Sequence, residues 1–139
     1  MNIKFSIIIT TSLIIALNIS ATSLNNDIQV KSDTVEFLKH TNQISFINNV
    51  EINSNFVSIS AKSALYDDVS KIISIEGMPS LIKSNKDDSF FNGTAEKIIF
   101  FSDEKVHLVG NASMKYENVS ISSNIIIFNP KTGKISSKE

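Results

Sequence analysis

Cysteine is absent from the 139-residue chain. That excludes disulfides, thiolate chemistry and attachment through a lipidated N-terminal cysteine, so stability must come from packing and strand pairing. All 13 basic side chains are lysine. Without arginine the chain lacks the planar fork that reads phosphates and base edges bidentately, and a net charge of −1 supplies no bulk attraction to nucleic acid. Glycine and proline number only four and two. A catalytic nucleophile would have to be Ser or Thr, and neither histidine stands where it could activate one. His40 lies in a polar turn, and His107 alternates with Val106 and Leu108 and so faces solvent. No pair of histidines has metal-ligand spacing.

What the chain does have is a leader and a long alternation. The start, MNIKFSIIITTSLIIALNISATS, carries one cation (Lys4), an apolar stretch from Phe5 to Leu17, and small residues at Ala21 and Ser23. This is the layout of an export signal over residues 1–23, cleaved after Ala21 or Ser23. The competing reading is a retained anchor, but a spanning helix needs about 20 apolar residues and Thr10, Thr11 and Ser12 interrupt this run. One domain, 24–139, remains. It is large enough to bury roughly two-thirds of the surface its unfolded chain exposes.

After the leader the hydrophobic residues alternate with period two, in strand-like runs from Ile28–Ser32 and Thr34–Leu38 through to Asn124–Phe128. Turn residues separate them: His40-Thr41-Asn42, Asn53-Ser54-Asn55, Asp67-Asp68, Asn85 to Asp88, Asp103-Glu104, Glu117-Asn118 and Asn129 to Gly133. The acidic pairs in these turns read as solvated turn formers. Asn92-Gly93-Thr94, Asn111-Ala112-Ser113 and Asn118-Val119-Ser120 match the glycosylation sequon, which matters only in a eukaryotic secretory pathway.

A repeat underlies the alternation. Ser32, Ala61, Ala95 and Ser123 are each followed five residues later by an aromatic: Phe37, Tyr66, Phe100 and Phe128. Between small residue and aromatic the parity of the apolar positions switches. Val57 and Ile59 are odd while Ala64 and Tyr66 are even; Phe91, Gly93 and Ala95 are odd while Ile98 and Phe100 are even. A parity change flips the inward face unless the strand bends at that point. The expected architecture is all-β: a V-shaped jellyroll of antiparallel rolled sheets, from about four repeats of about 30 residues. The crease falls at the small residues and the first and last strands are open edges.

Small residues at the crease leave room for a slot between the arms, suited to acyl chains. The expected lining is Phe37, Phe46, Ile59, Tyr66, Ile75, Phe91, Ile98, Phe100, Leu108, Met114, Ile121 and Phe128. Phe100→Asp would then abolish lipid binding in a protein that stays folded. The alternative is a closed core in an adaptor that acts through its edges, disrupted by proline near Ile28–Val30 or Ile125–Ile127. Lys31, Lys62 and Lys83 are candidate phosphate partners.

Phe91 to Lys97 (FNGTAEK), Val106 to Ala112 (VHLVGNA), Ile59-Ser60-Ala61 and the closing Phe128-x-x-x-Thr132-Gly133-Lys134-Ile135 together resemble the OstA-like repeat. The chain is similar over nearly its whole length after the leader to the LptA/OstA-like family of lipopolysaccharide-transport proteins. The resemblance implies a β-jellyroll with a hydrophobic groove for lipid A acyl chains and a periplasmic location, while the want of catalytic and metal-ligand constellations sets the expectation of no enzymatic activity and no cofactor. It also implies passage of lipopolysaccharide from inner to outer membrane, edge-strand pairing with LptC-like and LptD-like partners, and head-to-tail self-association. A membrane-anchored LptC-like subunit is the alternative within the same system. The chain departs from the pattern at Asn48-Asn49, where the repeat prefers Gly-Asn, and at Gly77-Met78-Pro79.

Overall fold

The computed structural model describes residues 4–16, 28–85 and 91–139. Nine strands follow one another: β1 (Lys4–Ala16), β2 (Gln29–Leu38), β3 (Gln43–Asn53), β4 (Val57–Asp67), β5 (Ile72–Ser84), β6 (Phe91–Phe100), β7 (Val106–Tyr116), β8 (Val119–Asn129) and β9 (Lys134–Lys138), with one 3-10 turn at Lys39–Thr41. They form a single antiparallel meander in chain order. The expected cleavage sites after Ala21 and Ser23 and the Asp87-Asp88 pair lie outside the described residues.

The runs that the sequence separates at Ser32, Ala61, Ala95 and Ser123 are continuous strands bent in the middle. Hydrogen bonding resumes on both sides of each bend, so the parity switch marks a corner and not an end. Every interruption of register between neighbours falls there. Lys31 and Thr34 of β2 bracket two residues, whereas their partners Glu51 and Ile47 bracket three of β3. Thr94 and Lys97 of β6 bracket two against three of β7, between Ser113 and Val109. On β5 the excess is larger, with Gly77 to Ser80 standing against Ala61 and Lys62 of β4. Pro79, which has no N–H for a ladder, sits inside that bulge.

The extra residues take the backbone conformations that turning the corner needs. Asn48 and Asn49 have φ of 65° and 51°, and Gly110 and Asn111 have 86° and 44°. Glycine and asparagine tolerate the left-handed region best, because glycine has no Cβ and the short asparagine amide bonds locally. The Asn48-Asn49 departure is therefore the same corner built from a different residue pair.

Each corner divides the sheet into a first arm (residues 29–32, 50–53, 57–60, 80–84, 91–95, 112–116 and 119–123) and a second arm (34–38, 43–47, 63–67, 72–76, 97–100, 106–109 and 125–129). The arms fold face to face. Phe91 begins β6 and Phe128 lies near the end of β8, on opposite arms and with β7 between them, yet their ring centroids are 4.6 Å apart. In a flat sheet ten residues of strand alone would hold such ends roughly 30 Å apart. The switched parity then points both arms' apolar sets into one interior: Val30, Ile52, Val57, Ile59 and Met114 from the first, and Val35, Phe46, Tyr66, Ile75, Ile98, Phe100, Leu108 and Phe128 from the second. Burial of each large apolar side chain contributes about 1.5–3 kcal/mol, which offsets the lack of disulfides.

The first edge strand, β1, lies within the leader. β1 pairs along β2, with Lys4 to Ile8 opposite Leu38 to Thr34 and Leu13 to Ala16 opposite Ser32 to Gln29. With the leader attached, β2 is an interior strand. At the other end β9 pairs only with residues 125–129 of β8.

Candidate functional site

The twelve residues expected to line a slot converge on the interior. Phe46, Ile59, Tyr66, Ile75, Phe91, Ile98, Phe100, Leu108, Met114 and Phe128 are all buried, whereas Phe37 and Ile121 are half-buried at its margins. The expected lining left out Val30, Val50, Ile52 and Ile82 of the first arm and Val106 of the second, which belong to the same interior. Their alternation on β2, β3, β5 and β7 was the available signal.

At Gly93 the small residue does not leave a gap. A Cβ built on Gly93 would stand 3.2 Å from Leu108 Cδ1 and 3.3 Å from Ile82 Cγ2. Side chains from neighbouring strands occupy the space that glycine concedes, and close packing of this kind is the rule in interiors. The interior side chains are shut off from solvent. Phe100 is only 1% exposed. The expectation that Phe100→Asp leaves the protein folded is thus corrected, because an unpaired carboxylate at that position would carry a desolvation penalty of several kcal/mol.

The apolar surface that is open lies at the margin. Phe37, Leu38 and Ile44, with Lys39, Asn42, Gln43 and Asp68 around them, line a pocket of about 330 Å³ beside the β2–β3 turn. Its walls continue into the buried set through Ile44. On the outer face of the crease a second concavity of about 490 Å³ is bordered by Lys62, Glu76, Met78, Glu96 and Lys97 and mixes both charge signs. Of the three candidate phosphate lysines, Lys31 is held 3.6 Å from Glu51. Lys62 borders the crease concavity, and Lys83 borders a third one with Asn92 and Gly93 on the first arm. They do not converge.

The polar groups near the interior serve the turns. Asp67 Oδ1 accepts from the amides of Val69 and Ser70 at 2.8 and 3.1 Å, bonds that hold its carboxyl below the ordinary range. Tyr66, buried up to its hydroxyl, donates to Asp68 Oδ1 at 3.2 Å, and that oxygen also accepts from Lys71 Nζ at 2.6 Å. Burial first, and then the neighbouring Asp68 charge, push the Tyr66 phenol up to about 12. His40 is exposed, as expected. His107 is half-buried with its ring 4.7 Å from that of Phe101. It points away from the interior, opposite Val106 and Leu108 as expected, but it is partly covered rather than fully exposed, and burial and the Lys105 and Lys138 charges push its pKa down. Asp103 is a turn former whose carboxylate accepts from the Lys105 amide at 2.9 Å. Glu104 is not solvated: it is fully buried, with φ of 66°. Among the described residues no three His, Asp or Glu side chains cluster as a metal site.

Repeated strands folded over a common apolar interior, with bends stacked at one crease, define a β-jellyroll. Residues 29–134 match the family model described as LptA/(LptD N-terminal domain) LPS transport protein. The chain belongs to that family of lipopolysaccharide-transport proteins. Among solved structures it is similar to LptH of Pseudomonas aeruginosa, described as the LptA-homologous periplasmic component of the lipopolysaccharide transport device. That match has a TM-score of 0.72 and 13% identity, and covers 84% of this chain and 85% of the other. No curated protein matches the sequence. Among the described residues no helix is long and apolar enough to cross a membrane.

Proposed function

We propose that this protein is a periplasmic carrier that holds the lipid A acyl chains of lipopolysaccharide between its two arms and passes them from the inner towards the outer membrane. The observation that carries this reading is the apolar pocket of Phe37, Leu38 and Ile44, which opens at the margin of an interior built almost wholly of hydrocarbon. Each methylene moved from water into such a site contributes about 0.8 kcal/mol, so a chain of moderate length is held without any charged contact. The deep interior side chains are shut off from solvent, so only penetration beyond the open pocket requires the arms to part.

Partners pair at the sheet edges. Once residues 1–23 are removed, β2 presents a full-length edge for an LptC-like strand, and the part of β8 beyond β9, residues 119–124, presents one for an LptD-like strand or a second copy. The test is lipopolysaccharide binding by the purified protein and its Phe37→Asp variant. Phe37 is half-buried, so this variant stays folded; micromolar uptake by the parent and loss in the variant support the carrier. Equal behaviour, or no uptake by either, refutes it.

The burial of the interior side chains favours a second reading, an adaptor with a closed core that acts only through its edges. It expects partner pairing with no lipid taken up.

A further inference from the structure

The mouth between the arms is closed differently at its two ends. On the β6–β9 side three rings meet across it. Phe91 of the first arm packs edge-on against Phe128 of the second, with centroids 4.6 Å apart and planes at 65°. Tyr116, the register partner of Phe91 on β7, lies 6.4 Å from Phe91 and 6.0 Å from Phe128. The turn after β8 is held down on the same cluster. Gly133 lies so close under the Tyr116 hydroxyl that a Cβ there would be 3.1 Å from the oxygen. Lys131 of that turn sits 6.0 Å over the ring of Phe56, in the β3–β4 turn of the opposite arm. On the β2–β3 side no aromatic pair bridges the arms among the described residues, and the open apolar pocket lies there instead.

Edge-to-face ring pairs contribute beyond their buried area, and they do so only at the right separation, so such a contact breaks over a small displacement. Packed interfaces of this kind have two states and do not stretch continuously. We propose that Phe91, Tyr116 and Phe128 form a latch across the mouth. Acyl chains enter at Phe37, Leu38 and Ile44 while the latch is shut, and reach the β8 end of the interior at Ile121 only when it opens. The latch thereby gives the interior an entry end and a gated exit end. This rests on the carrier reading above.

The absence of cysteine makes a clean test available. Phe91→Cys and Phe128→Cys are combined in the purified protein and joined by a reducible bis-maleimide. A photo-crosslinking p-benzoylphenylalanine is placed at Phe37 or at Ile121, and lipopolysaccharide is the probe. The expected result is labelling at position 37 in both states, and at position 121 only after the linker is reduced. In an otherwise native chain, Phe128→Leu keeps an apolar side chain in the interior and is expected to raise labelling at 121 roughly thirtyfold, the factor set by losing its ring pairs with both Phe91 and Tyr116. Equal labelling at 121 in linked and reduced protein overturns the latch but leaves the carrier standing. No labelling at either position in any state overturns both.

Discussion

Asn49 Nδ2 donates to Asp33 Oδ2 across the crease at 2.7 Å, and two hairpins later Asn111 Nδ2 donates to Glu96 Oε2 at 3.1 Å in the equivalent place. In both pairs the asparagine is a left-handed residue of the returning strand and the carboxylate belongs to the bend of the outgoing strand. The corner is thus a repeated device, a positive-φ pair clamped on the outer face by one side-chain bond. Exposed as they are, the clamps contribute modestly; the backbone conformation matters more.

That ordering leads to the first prediction. Gly110→Ala places a Cβ at φ of 86° and within 3.0–3.1 Å of the Glu96 side chain. It is expected to lower stability by about 1–2 kcal/mol. Asn48→Gly, at φ of 65°, is expected to raise it by a few tenths of a kcal/mol. Urea unfolding of both variants checks the pair, and a neutral Gly110→Ala would refute the corner's dependence on glycine.

Phe100 and Phe37 occupy equivalent repeat positions but differ in burial, so the same substitution separates folding from ligand uptake. Phe100→Asp is expected to unfold the protein at neutral pH, by a loss of more than about 4 kcal/mol. Phe37→Asp is expected to keep a cooperative transition. Circular dichroism during thermal unfolding reads both.

Tyr66 carries the pH prediction. Its phenol is raised from 10.0 to about 12, so the folded state holds the proton more tightly than the unfolded one. The resulting stabilisation is complete below pH 10 and is lost between pH 10 and 12 as the unfolded chain deprotonates first. Absorbance titration near alkaline pH is expected to show a late tyrosine phase that Tyr66→Phe removes. A chain in which that variant changes nothing would contradict the assignment.

His107 adds the acid side. Its pKa is depressed by burial and by Lys105 and Lys138, so its contribution is present above the unfolded value of 6.5 and declines as pH falls towards the folded value. His107→Phe is expected to flatten the stability profile below pH 6.5 and to leave it unchanged at pH 8, as read from urea midpoints.

The edge of β2 gives the last prediction. A chain beginning at residue 24 has no β1, so β2 is exposed along its length and the protein is expected to self-associate in a concentration-dependent way. The full chain, with β1 paired to β2, is expected to do so less. Proline at Val30 should suppress association in the short form, followed by light scattering; association of both forms alike would refute this role for the edge.

Much of this was legible without coordinates. Period-two alternation assigned the strands, and the parity switch at Ser32, Ala61, Ala95 and Ser123 located the corners, because side-chain direction in a strand is set by counting alone. The repeat placed ten of the twelve expected residues in the buried interior. Tertiary contact decided what counting cannot reach: whether Gly93 leaves a void, which it does not, since Leu108 and Ile82 from other strands stand in the space beside it. It decided the burial of Glu104 and the half-burial of His107, which depend on what folds over a turn rather than on the turn's composition. It also set Phe91 against Phe128, residues on strands that are not neighbours in the sheet. Local pattern determines each strand's inward face; only the closure of two arms on each other determines which inward faces meet.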